Sequence, residues 1–119
     1  MDFVISEQHK SNDPTPLIIR KGARVKIGKR SGSSESWPNW IYCYSLDGIS
    51  EGWTPEQIIQ MENEYGIVLE NYSAKELDVK KGEKVEGNIE LNGWVWCSKL
   101  NLLEEGWLPK EKMIAVSEL

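Results

Sequence analysis

The sequence predicts an all-β protein made of two small five-stranded barrels in tandem. Three observations predict it: a repeat that runs through most of the chain, short alternating segments rich in Val, Ile, Tyr and Trp, and glycine or asparagine turn signals between them. The chain has 119 residues, enough for one ordinary domain or two very small ones. A unit of ~60 residues buries only ~60% of its unfolded surface, so units this small depend on large side chains. Six tryptophans answer that need.

The repeat comes first because it sets the architecture. Leu17-Ile18-Ile19-Arg20-Lys21-Gly22 aligns with Leu77-Asp78-Val79-Lys80-Lys81-Gly82, an offset of 77 − 17 = 60, and Val25 meets Val85 at the same offset. Trp40-Ile41-Tyr42-Cys43 aligns with Trp94-Val95-Trp96-Cys97 at an offset of 54. Glu51-Gly52-Trp53-Thr54-Pro55 aligns with Glu105-Gly106-Trp107-Leu108-Pro109, again at 54. The fall from 60 to 54 leaves six extra residues in the first copy, and they fall in the Gly/Ser-rich stretch from Lys29 to Ser36, which reads as a loop. The expected domains are therefore 1–62 and 63–119, with Asn63-Glu64 as a short linker that holds two barrels in a fixed arrangement.

Each element follows from local pattern. Ala23, Val25 and Ile27 share one face of a strand, and Arg24 and Lys26 share the other. Tyr65 to Leu69, Lys84 to Leu91 and Trp94 to Lys99 also read as strands. Asn92-Gly93 is a hairpin turn signal. Gly82 stands where a tight turn needs a residue free to take positive φ. No window sustains the helical period for three turns.

Charge and composition exclude several functions. Lys plus Arg number 14 and Asp plus Glu 19, a net charge of −5, which argues against a general nucleic-acid binder because such binding depends on neutralising phosphates. Arg20, Lys21, Arg24, Lys26, Lys29 and Arg30 form a basic block without an acid, read as the solvated face of a strand. No leader-like apolar run and no segment of ~20 apolar residues occurs, so a cytoplasmic chain without a membrane span is expected. His9, the only histidine, reads as a solvated loop residue, and no metal or cofactor is expected. Glu51, Glu104 and Glu105 read as surface acids. No nucleophile, phosphate-loop or metalloprotease motif occurs, so no enzyme is expected.

At the level of motifs the second copy resembles the Src-homology-3 family over nearly its whole length. Val68-Leu69-Glu70-Asn71-Tyr72 resembles the ALYDY opening, and Glu76-Leu77-Asp78-Val79-Lys80-Lys81-Gly82-Glu83 resembles ELSFKKGE. Asn92-Gly93-Trp94 is similar to the turn and first Trp of the paired-tryptophan strand, and Gly106-Trp107-Leu108-Pro109 to the GWFP motif. The resemblance implies a groove that takes a proline-rich peptide in polyproline II form. Its five groove positions carry Glu70, Tyr72, Trp94, Pro109 and Lys112 in the second copy, and Ser6, Gln8, Trp40, Pro55 and Ile58 in the first. It also implies small buried residues at Cys43 and Cys97, hence two reduced, buried thiols.

The expected function is recognition of a peptide or protein, chiefly through the second copy. Candidate ligand-binding residues are Tyr72, Trp94, Trp107 and Pro109, with Trp40, Trp53, Pro55 and the loop residue Trp37 in the first copy. Tryptophan combines large contact area with one donor, which suits binding hot spots. The same residues also suit core or inter-domain packing. A cell-wall or glycan-binding module and a purely structural unit are the rival readings.

Overall fold

The computed structural model describes residues 1–11, 15–31, 39–100 and 103–119. Twelve strands follow in chain order: β1 (Asp2–Ile5), β2 (Ile18–Ile19), β3 (Arg24–Arg30), β4 (Trp40–Ser45), β5 (Glu51–Pro55), β6 (Ile59–Glu62), β7 (Tyr65–Val68), β8 (Tyr72–Ser73), β9 (Lys84–Leu91), β10 (Trp94–Lys99), β11 (Glu105–Pro109) and β12 (Met113–Ala115). Among the described residues the only helical pieces are single 3₁₀ turns, at Glu56–Ile58, Lys110–Lys112 and Val116–Glu118. The protein is all-β, as expected, and no helix among the described residues is long and apolar enough to cross a membrane. The strands form two five-stranded sheets and one two-stranded ribbon, β2-β8, and none of the three closes on itself.

The two sheets have equivalent orders, β5-β4-β3-β7-β6 and β11-β10-β9-β1-β12. Their membership corrects the expected domain boundaries. β1 pairs with β9 and β12, near the other end of the chain, while β7 pairs with β3 and β6. The compact units are accordingly 1–13 with 75–119, here called the split unit, and 14–74, the inserted unit. Asn63-Glu64 is no linker. It is the two-residue turn of the β6-β7 hairpin, with Glu62 opposite Tyr65 and Asn63 in the left-handed region at φ 59°. Closing a loop this short costs little chain entropy, so β7 stays beside the strand that precedes it. The repeat could not reveal this, because equivalent strands carry the same pattern whichever unit they join.

Several local expectations hold. β9 and β10 run over the expected residues, and Asn92 and Gly93 both take positive φ, 50° and 88°, in the turn between them. Gly82 and its counterpart Gly22 have φ of 95° and 89°, and their N–H groups bond the carbonyls of Ile5 and Val68. The basic block is exposed throughout. Beyond Arg30 and Ser31, the extra residues of the first copy, Trp37 included, lie outside the described residues.

Each unit has its own core. Ile5, Leu77, Val85, Val95, Cys97 and Leu108 centre the split unit, and Leu17, Val25, Ile41, Cys43 and Val68 the inserted one. Both thiols are free and buried, one per core. Burial pushes the Cys43 thiol above its ordinary value and the Cys97 thiol up to about 12. In the inserted core Thr54 stands where the split core has Leu108; its fully buried hydroxyl makes no oxygen or nitrogen hydrogen bond among the described residues and is left with the Cys43 thiol, whose pKa it lowers against the larger rise from burial.

A candidate binding face on each unit

Strand alternation divides the aromatic residues from the cores. On β10, Val95 and Cys97 point into the core while Trp94 and Trp96 point to the outer face. Antiparallel pairing sets Trp94 opposite Pro109 and Trp96 opposite Trp107. Trp96 and Trp107 pack edge to face, with centroids 5.3 Å apart at 76°, and the Trp96 indole donates to Glu105 at 3.1 Å. Trp107 is buried at 8% exposure, because the chain at Lys75–Leu77 bonds to its backbone on the open side of β11. Trp94 is half-buried.

The other wall beside Trp94 comes from both ends of the chain. His9 bridges Val79 through paired backbone hydrogen bonds of 3.0 and 2.9 Å. Its ring is set edge-on to Trp94, centroids 5.8 Å apart. Nε2 lies 2.7 Å from Glu76 Oε1, and Lys112 Nζ donates to Nδ1 at 3.1 Å. An ammonium only donates, so Nδ1 is the acceptor and the ring proton sits on Nε2, facing the carboxylate. His9 is therefore not the solvated loop residue expected: it is buried, at 9% exposure. Sequence reasoning missed it because its partners lie 67 and 103 residues away.

Register also corrects the groove alignment. Tyr72 pairs with Ile19, and the isolated bridge sets His9 against Val79, so His9 and not Gln8 is the counterpart of Tyr72. Tyr72, expected beside Trp94, belongs to the inserted unit. There it packs against the core and its hydroxyl donates to the Trp53 carbonyl at 2.9 Å. The split unit thus brings together Trp94, Trp107 and Pro109 of the expected site, with His9 and Lys112 where the resemblance implies aromatic walls and Glu76 beside them.

The inserted unit carries the matching face. Trp40 pairs with Pro55 and Tyr42 with Trp53. Tyr42 packs edge to face on Trp53 at 5.2 Å and on Tyr44 at 5.3 Å, and its hydroxyl donates to Glu51 at 2.8 Å. Lys29 lies 5.5 Å from the Trp53 ring centroid. Trp40, however, is only 5% exposed, and Pro55 is fully buried. The surface depression bounded by Arg24, Glu62, Asn63, Glu64 and Tyr65 lies at the β6-β7 hairpin, away from this face, and is an open notch among charged side chains. Comparisons with protein-family models, curated proteins and solved structures find no match to this chain.

Proposed function

We propose that the two units are SH3-like barrels and that the chain is a non-enzymatic binding module, taking an extended peptide segment of a protein partner on the Trp94 face of the split unit. The fold part rests on the matched strand orders and on a single 3₁₀ turn leading into the last strand of each sheet. On this reading the inserted unit is a barrel whose chain starts and ends within the long loop between its first two strands. The split unit receives it at the equivalent loop. Insertion at an exposed loop is a tolerated way to join domains.

One observation carries the choice of face: Trp94 is half-buried where its counterpart Trp40 is closed off. Trp94, backed across the sheet by the fully buried Pro109, supplies the apolar contact, and Glu76, with 30% of its side chain exposed, supplies charge at one end. An apolar residue followed by a basic one would satisfy both. The test is titration of the full chain with a proline-rich and basic peptide array and with a glycan panel, read by tryptophan fluorescence. Peptide binding that falls about thirtyfold in Trp94→Ala, with the fold intact, is expected. Binding that survives Trp94→Ala but is lost in Trp53→Ala moves the site to the inserted unit, and selective glycan binding replaces the peptide reading.

A further inference from the structure

Phe3 and Gly66 occupy the same place in their units. Phe3 lies between Val85 and Ala115 in the split unit, and Gly66 between Val25 and Met61 in the inserted one. Gly87 and Ile27 are likewise equivalent, each opposite its unit's cysteine, Cys97 or Cys43. The sizes at these two positions are reciprocal. Large Phe3 covers Gly87, where a Cβ would come 2.6 Å from the Phe3 ring. In the inserted unit the bulk is on β3: a Cβ on Gly66 would come 3.0 Å from Ile27 Cδ1 and 2.5 Å from Ile59 Cγ2.

We infer that this reciprocal size pairing is a built-in code that assigns β1 and β7 to their units. Because the units share one strand order, a second arrangement exists in which β1 pairs with β3 and β7 with β9; the β6-β7 hairpin, which it would have to open, disfavours it, and the size pairing adds to that bias. That consecutive arrangement would press Phe3 against Ile27 and set Gly66 against Gly87. One core would be overfilled and the other left with a hole the size of a benzyl group, and protein interiors tolerate neither. The observed arrangement makes both contacts fit. Hydrophobic pattern alone cannot make this choice, since β1 and β7 present the same alternation. The inference is independent of any ligand, and it has a consequence for the candidate site: His9 reaches Glu76, Trp94 and Lys112 only when β1 is assigned to the split unit.

The test uses the full chain with exposed cysteine pairs that report which strands are neighbours. Asp2 is the register partner of Glu86, and its counterpart Tyr65 is the partner of Lys26. Asp2→Cys with Glu86→Cys should cross-link readily within one chain, and Asp2→Cys with Lys26→Cys should not. Exchanging the strand residues, in Phe3→Gly with Gly66→Phe, creates both misfits in the observed arrangement and removes them from the consecutive one. The ratio of the two cross-links should then shift toward Asp2–Lys26 by at least ~tenfold. Adding Ile27→Gly with Gly87→Ile should shift it back. An unchanged ratio in the first variant, or no return in the second, overturns the inference. If Phe3→Gly with Gly66→Phe does not fold, the decision rests on Gly87→Ala in the wild-type and Phe3→Leu backgrounds. A loss in urea midpoint at least halved by Phe3→Leu supports the code, and equal losses overturn it.

Discussion

Trp40 and Trp94 begin equivalent strands, and each faces a proline across the sheet, Pro55 or Pro109. Trp40 nonetheless keeps 5% of its surface in water, while Trp94 is half-buried beside a histidine held between a carboxylate and an ammonium. The repeat delivers the same backbone position twice. What differs is the neighbourhood, and the neighbourhood decides whether a tryptophan is a packing residue or a contact residue. The two cores differ in the same spirit, one carrying a buried hydroxyl at Thr54 where the other has Leu108.

The comparison breaks most visibly under truncation. Trp40→Ala should cost about 3–5 kcal/mol in urea unfolding, the usual loss for a buried tryptophan. Trp94→Ala should cost less than Trp40→Ala, because Trp94 is only half-buried. Equal losses would mean that the two positions play the same part.

A smaller effect separates the thiols from the rest of each core. The Cys97 pKa is raised to about 12 in the fold, from an ordinary value of 9.0. The folded state thus holds its proton longer than the unfolded chain does. This contribution is fully present below pH ~9 and is lost as pH rises toward 12. One unit above the unfolded value the part already lost amounts to about 1.4 kcal/mol. Cys97→Ala should flatten the alkaline slope of stability measured from pH 8 to about 11. Cys43 carries a shift of the same sign, so Cys43→Ala should flatten it as well. An unchanged slope in Cys97→Ala would show that water reaches the sulfur.

The smallest expected change is Thr54→Val. It removes a buried hydroxyl whose one polar neighbour is the weakly bonding Cys43 thiol, at nearly constant volume, so chemical denaturation should show stability unchanged or raised by up to ~1 kcal/mol. A clear loss would reveal a hydrogen bond to that hydroxyl and narrow the difference between the two cores.

Most of the local structure was legible in the residues. Alternation gave β9 and β10 their extents, Asn92-Gly93 their turn, and the Trp-x-aromatic-Cys segments their buried thiols. Chain assignment was not legible from the repeat, because Val4 and Ile67, or Ile5 and Val68, are interchangeable as pattern. The information was in sizes, Phe3 with Gly87 and Gly66 with Ile27, and it becomes readable only once register is known. The site was half legible for a related reason. Trp94, Trp107 and Pro109 lie close in sequence and were found together, whereas His9 joins them from the far end of the chain and Tyr72 leaves them.

The pairing of β1 with β9 and β12 also sets an order of events during synthesis. β1 is made before the inserted unit, and its partners are made only after the whole of it. At ~5–20 residues per second, β1 waits on the order of 5 to 20 s without a sheet to join. The inserted unit, by contrast, has every strand in hand once Ala74 has emerged. It is therefore expected to fold first, with β1 still unpaired. A strand made before the inserted unit is thus expected to find its place after it, and with it His9 arrives to complete the wall beside Trp94.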